Sequence, residues 1–227
     1  MNVVVLSGAG ISAESGISTF RDSDGLWEKY RIEDVATPEA WYRDPALVLD
    51  FYDQRREQVR AAASNAAHMA LARLQDVAMV QIVTQNIDDL HERAGSRHVL
   101  HLHGEIVLAR STVPPYETYP AGGNIALGDL CPRGAQLRPH VVWFGEEVPM
   151  LERAARIVQK ADVLLVVGTS LQVYPAAGLV QYAPKGCKII VIDPNAPHIS
   201  GMDVVTIKEK AGVALPRLVE EWMGHKL

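Results

Sequence analysis

Two histidines stand two residues apart in "HVLHLHGE", His101 and His103. The run around them reads as a strand, so both rings share one face. His103 comes just before Gly104, at the strand end. A neutral imidazole there could take a proton from a hydroxyl at neutral pH. A buried, hydrogen-bonded pair would look the same, and a metal would need further ligands. His68, His91, His98, His140, His198 and His225 read as packing or surface residues. Three more polar patches follow apolar runs: Thr84-Gln85-Asn86-Ile87-Asp88 after "MVQIV", Gly168-Thr169-Ser170 after "VLLVV", and Asp193-Pro194-Asn195 after "KIIVI". Near the start, Gly8-Ala9-Gly10 follows "VVVLS", with Ala13 in the third position of the dinucleotide fingerprint. Glycines there let a backbone approach a phosphate, and the next helix offers N–H donors. Arg21, just beyond, is a cation suited to a phosphate or ribose.

These patches need strands to position them. Val3 to Leu6, Val80 to Thr84, Val99 to Leu102, Val163 to Val167 and Lys188 to Asp193 read as buried strands. Helical patterns cover Asn65 to Gln75, Leu151 to Lys160, Ala176 to Tyr182 and Ala214 to Met223. The alternation predicts an α/β fold: a Rossmann-like parallel sheet with helices on both faces. Ligands then bind outside the carboxyl ends of the strands. Asp88 and Asn195 fit helix caps as well as ligand contacts. Asp22 to Arg60 shows helical patterns without a strand, and Ser111 to Pro139, dense in Pro and Gly, reads as loop. Both are expected to build a smaller inserted lobe. The main unit is then 1–21, 61–104 and 141–227, and the small lobe 22–60 and 105–140.

Composition limits the classes of function. The chain has 227 residues, 48% apolar and 22% charged, with net charge −5. That balance shows no basic excess that points to nucleic acid, though local basic patches stay open, and no apolar run is long enough for a bilayer. Two cysteines, Cys131 and Cys187, make no disulfide framework, and no signal-peptide pattern opens the chain. The expected place is the cytoplasm. A dehydrogenase would want an acidic residue about 20 residues beyond the glycines, at the end of a second strand. Glu28 stands near that distance, inside "GLWEKY", which is not a strand end.

Together, "GAGISAESGISTFR", "TQNIDDLHERAG", "HLHGE", "RPHVVWFGE", "GTSLQVYPAAG" and "VIDPN" resemble the sirtuins, the NAD-dependent protein deacylases, and most of all their bacterial CobB-like members. The motifs occur in the family's order over nearly the whole chain. The resemblance implies NAD consumed as a co-substrate. Gly8, Ala9, Gly10, Ala13, Phe20 and Arg21 match the first cofactor loop. Gln85, Asn86, Ile87 and Asp88 match the surroundings of the nicotinamide ribose and carboxamide. Gly168, Thr169, Ser170, Asn195 and Ala211 match the adenosine side. Catalytic roles fall to His103, the general base, and Asn86. The implied products are free lysine, nicotinamide and 2′-O-acyl-ADP-ribose, and the implied partners are acyl-lysine proteins or peptides. Phe20 would shield the site from water. Trp143, Phe144 and Gly145 would pair with the substrate backbone by strand addition. Tyr52 and Arg55, three apart in "DFYDQRREQV", match the pair that succinyl-lysine sirtuins use for acidic acyl groups. Spacing alone would instead make them an exposed helix face beside solvated Asp53, Arg56 and Glu57.

The chain departs from the family in two places. Where most members carry two Cys-x-x-Cys pairs, it reads "RSTV" and "CPRG", which leaves only Cys131 of the four zinc ligands, and no structural zinc is expected. Ser18 replaces a usual proline. The alternatives to a deacylase are a mono-ADP-ribosyltransferase, a non-catalytic NAD-binding regulatory module and a Rossmann-type oxidoreductase.

Overall fold

The computed structural model describes residues 1–17 and 29–224. Ser18, Phe20, Arg21 and Glu28 lie outside the described residues. A six-stranded parallel sheet is built from β1 (Asn2–Ser7), β2 (Met79–Thr84), β3 (Val99–His101), β7 (Val163–Val167), β8 (Lys188–Ile192) and β9 (Val204–Ile207), in the order β3-β2-β1-β7-β8-β9. Counted along this sheet alone, the order is 3-2-1-4-5-6, which places a topological switch point between β1 and β7. β9 was not foreseen. Its pattern, half-buried at Val204 and Ile207 and exposed at Val205 and Thr206, is that of an edge strand.

The apolar runs divide by the two-residue period of a strand. Val3, Val5, Val163, Leu165 and Val167 face one core with Leu71 and Leu74 of α5 (Ala66–Leu74) and Ala214, Leu215 and Val219 of α8 (Ala211–Gly224). Val4, Leu6, Leu164 and Val166 face the other with Ala154 and Val158 of α7 (Leu151–Val158) and Leu179 of Ala176–Tyr182. Ala176–Tyr182 is a 3-10 helix, tighter than the helix its pattern suggested. Both faces are covered, so strand residues on both sides are buried. Each such aliphatic side chain is worth roughly 1.5–3 kcal/mol.

The stretch expected as loop from Ser111 to Pro139 is partly sheet. β4 (Gly104–Ser111), β5 (Thr118–Pro120) and β6 (Leu137–Val141) pair antiparallel in the order β5-β4-β6. The Pro and Gly residues lie largely in the connections, and Pro139 and Pro120 sit in the two outer strands, where a missing N–H is tolerated. Four short or medium helices join this sheet's neighbourhood: α2 (Ile32–Val35), α3 (Pro38–Arg43), α4 (Pro45–Ala61) and α6 (Leu90–Arg93). Thr37 caps α3 and Asp44 caps α4, each with Pro at the first helical position. A third core of Val48, Phe51, Tyr52, Leu90, Ile106, Val141 and Trp143 ties α4 to β4 and β6.

Candidate active site

The chemistry-bearing residues collect at the carboxyl ends of β1, β2, β3 and β7, on either side of the switch point. Gly8 follows β1 and donates to the Val167 carbonyl (3.0 Å), and Gly10 donates to the Gly168 carbonyl (2.8 Å). Gly168 has φ +59°, and a Cβ there would lie 2.3 Å from the Ile11 nitrogen. A Cβ on Gly8 would lie 2.7 Å from Thr169 Cβ. Thus these glycines let two loops interlock, a packing demand beyond the phosphate approach the sequence suggested. α1 (Ala9–Ala13) starts directly from this turn. Ala9 and Gly10 are half-buried, while Ala13 is exposed.

Beside this turn, Ser12 is fully buried and joins two predicted residues. Its hydroxyl donates to Asp88 (2.9 Å) and accepts from the Asn86 amide (3.0 Å), which also donates to the Gly8 carbonyl (3.1 Å). Asp88 accepts from the Leu90 N–H as well (3.2 Å), which ties the first residue of α6 to the cluster, although the N-cap position itself is Asp89. Burial pushes its carboxyl up, and the Leu90 N–H and Ser12 hydroxyl pull it down. Gln85 is half-buried and donates to the Thr169 hydroxyl (3.1 Å), linking β2 to β7. Ile87 is half-buried against the third core. Ser170 is half-buried and Asn195 exposed, with the Asn195 N–H on Asp193 (2.7 Å). Ala211 is buried at the start of α8, whose Gly212 N–H donates to Glu14 at the end of α1 (2.9 Å).

The histidines lie just where β3 ends. His103 Nδ1 is 3.0 Å from the Gln85 carbonyl, and His101 Nδ1 is 3.0 Å from the Asn86 carbonyl. A carbonyl can only accept, so Nδ1 of His103 carries the hydrogen and Nε2 keeps its lone pair. Burial lowers the pKa of His103, partly offset by that carbonyl, so the ring is neutral at pH 7. His101 differs: its Nε2 meets Glu92 at 2.9 Å, so both nitrogens face acceptors. Burial lowers its pKa, but Glu92 outweighs burial and the net shift is upward. Among the described residues no group of three or more His, Cys, Asp or Glu side chains could hold a metal.

The reading from spacing alone, which put Tyr52 and Arg55 on an exposed face, is corrected. Tyr52 is 3% and Arg55 8% exposed, and Asp53 and Arg56, expected to be solvated, are buried too. Only Glu57 of that set is exposed. Burial lowers the pKa of Arg55, against the attraction of Tyr52 and Asp88, and raises that of the Tyr52 phenol. Arg55 is therefore turned away from solvent. The "VVWFGE" stretch also differs from the expected strand. β6 stops at Val141, and residues 143–146 make a turn with Gly145 at φ +91°. Trp143 is buried in the third core, while Phe144 and Gly145 are exposed at the tip. The N–H groups of Val142 and Phe144 already donate to His103 and Ala36 carbonyls (2.9 and 3.0 Å). Those two N–H groups are therefore not open to an added strand.

Sequence reasoning missed Ser12, Glu92 and Glu146. Ser12 lies one helical turn past Gly8, and Glu92 one turn past Asp88, which is the only signal for either.

The donor set at these strand ends fits a dinucleotide: neutral amides and hydroxyls, glycines that open the backbone and, among the described residues, no metal-type cluster. The end of the second strand is Thr84-Gln85-Asn86, without the acid a hydride-carrying dehydrogenase uses for ribose. Comparisons with known proteins agree. Residues 8–175 match the Sir2 family. An NAD-dependent protein deacylase of Bacteroides thetaiotaomicron is 53% identical over 200 residues, 86% of each chain. One of Helicobacter pylori is 51% identical over 224 residues, 96% of this chain and 98% of its own. A Sir2 homologue solved with NAD superposes with a TM-score of 0.90 at 42% identity, covering 100% of this chain and 91% of that one. A Sir2 protein solved with a deacetylated p53 peptide and 3′-O-acetyl ADP-ribose has a TM-score of 0.83 at 29% identity, covering 98% and 93%. The chain belongs to the Sir2 family.

Proposed function

We propose that the protein is an NAD-dependent protein-lysine deacylase, with nicotinamide and an acyl-ADP-ribose as products beside the free lysine. The observation that carries this reading is the His103 ring: neutral, with Nδ1 committed to the Gln85 carbonyl and Nε2 left as a base at the meeting of the strand ends. NAD supplies a carbon that would lose neutral nicotinamide and accept the oxygen of an acyl-lysine; attack of a ribose oxygen on the acyl carbon and addition of one water would then break the carbon–nitrogen bond and free the lysine. Gly8, Ala9, Gly10 and Ala13 would hold its phosphates, with Gly168, Thr169, Ser170, Asn195 and Ala211 toward the adenosine. Gln85, Asn86, Ile87 and Asp88 would hold its other end. Asn86 is fixed by Ser12 and Gly8 and would orient the leaving group. His103 Nε2 would take a proton from a ribose hydroxyl, and its low pKa keeps it competent below pH 7. The site would lie between a main unit of 1–21, 61–104 and 141–227 and a small lobe of 22–60 and 105–140.

Acyl class is assigned to Tyr52 and Arg55. A guanidinium can bind a carboxylate through two parallel bonds, and here it lies beside a phenol in a nearly dry place. Removal of both acetyl and succinyl groups is the expected activity, with Trp143, Phe144 and Gly145 bordering the peptide.

The test follows nicotinamide and peptide mass together on acetyl- and succinyl-lysine peptides. Equal, NAD-dependent release is expected from the native protein, and its absence with both peptides would remove the proposal. His103→Ala should lower turnover about 10²–10⁴-fold while NAD still binds. Arg55→Met should lower desuccinylation at least about tenfold and spare deacetylation. Equal loss on both peptides would make Arg55 a structural residue.

A further inference from the structure

Residues 143–146 are held by a side chain that the scheme above does not use. The half-buried Glu146 carboxylate receives four hydrogen bonds. Oε1 accepts from Arg110 Nη2 (3.0 Å) and Arg138 Nη1 (2.8 Å). Oε2 accepts from Arg138 Nη2 (3.2 Å) and from the Trp143 N–H (2.8 Å). The Glu146 N–H returns a bond to the Trp143 carbonyl (3.0 Å). The turn is therefore closed twice, once by backbone and once by the carboxylate.

The two arginines need this partner. Arg110 and Arg138 stand opposite each other on β4 and β6, where like charges repel. Glu146 lies between them and cancels that repulsion. Arg138 in turn covers the Trp143 ring, its guanidinium carbon 3.1 Å from the ring centre, and donates to the Val141 carbonyl (2.8 Å). The Trp143 ring lies 6.5 Å from the Tyr52 ring and 5.8 Å from Trp41. One carboxylate thus sets the backbone of the turn and, through Arg138, the indole beside Tyr52.

We propose that Glu146 is a positioning residue for the acyl-peptide. It latches the turn so that the Phe144–Gly145 tip meets the peptide backbone and Trp143 walls the acyl end. The inference rests on the deacylase reading of residues 143–145. None of the four bonds reaches the loops assigned to NAD, so the effect should fall on one substrate only.

The experiment is steady-state kinetics on the full chain with an acetyl-lysine peptide and NAD varied separately, for Glu146→Ala and Glu146→Asp. Aspartate keeps the charge between the arginines but is one methylene too short to hold the Trp143 N–H as well. Both variants should raise the peptide KM about tenfold or more, leaving the NAD KM within about twofold. A merely structural role would raise both constants together or lower only the amount of active enzyme. If Glu146→Ala does not fold, Glu146→Asp decides. A peptide KM within about twofold of the native value, or an equal rise in the NAD KM, overturns the latch. Native enzyme that consumes no acyl-peptide would overturn the deacylase reading, and the latch with it.

Discussion

The two sheets bury different chemistry. In the six-stranded sheet the two cores are aliphatic, and most buried polar groups gather where strands end. Around the three-stranded sheet, charged groups are inside: Arg56 is fully buried, and Asp53, Arg55 and Arg138 nearly so. A buried ion is costly unless it is paired and hydrogen-bonded. The Asp53 carboxylate is met by Arg56 and by the Ile125 N–H (3.1 Å), and Arg56 also donates to the Ile106 carbonyl (2.8 Å). The main sheet is thus held by area, and the smaller region by matched charges.

The strongest way to break this comparison is to remove one charge of a matched pair. Asp53→Ala leaves Arg56 buried without its anion and removes the acceptor of the Ile125 N–H. The expected cost is about 3–5 kcal/mol, read from the urea midpoint. Hydrogen exchange should show amides of β4 and Ile125 opening before those of β1 and β7. Loss under about 1 kcal/mol, or simultaneous opening of both sheets, would erase the distinction between area and charge.

That distinction also decides what was legible in the sequence. Strands of the main sheet are continuous apolar runs, a signal that survives without knowledge of neighbours. Their ends exposed the polar patches, so Gly8, Gln85, Asn86, Asp88, His103 and Thr169 could be named and are now seen in one cluster. β4, β5 and β6 were hidden because their sequence mixes Arg, Ser, Pro and Gly, whose burial depends on partners far away in the chain. Asp53 and Arg56 looked solvated for the same reason: no local rule announces that Ile125 and Ile106 will meet them. Family resemblance, not spacing, singled out Tyr52 and Arg55.

The main region also buries a histidine pair, which sharpens the comparison at an intermediate magnitude. His68 and His91 are fully buried below the end of β1, with ring centres 4.9 Å apart, and His91 Nε2 lies 3.0 Å from the Ser7 hydroxyl. Burial pushes His68 down to about 4, against a smaller upward pull from Glu92, and pushes His91 well below its usual value. The folded state resists protonation, so as pH falls the unfolded chain binds the protons first. Stability should be full above about pH 6.5 and fall as pH drops toward 4, by about 3 kcal/mol for His68 alone. Urea unfolding at pH 7 and pH 5 measures it. A His68→Gln variant with an unchanged pH slope would move the effect to other groups.

The smallest expected effect concerns the region that in most sirtuins holds zinc. Here the loop at Cys131 is closed by the chain itself. The Cys131 N–H donates to the Ala135 carbonyl and the Gly134 N–H to the Cys131 carbonyl, both at 2.8 Å. Cys131 Sγ lies 3.8 Å from the Ser111 hydroxyl. The Gln136 amide then joins separate segments, donating to the Ala126, Asp129 and Leu137 carbonyls and accepting from the Gly128 N–H (2.8–3.2 Å). These bonds bridge residues 126–137, as a tetrahedral ion would elsewhere. A chelator should therefore leave Tm within about 1 °C, and metal analysis should find well under one zinc per chain. Gln136→Ala, which strips four hydrogen bonds at once, most of them to exposed residues, should cost about 1–2 kcal/mol, and Cys131→Ser less than about 1 kcal/mol. If the order reversed, with chelation or Cys131→Ser costing more than Gln136→Ala, the lobe would be held by a metal and not by its own amides.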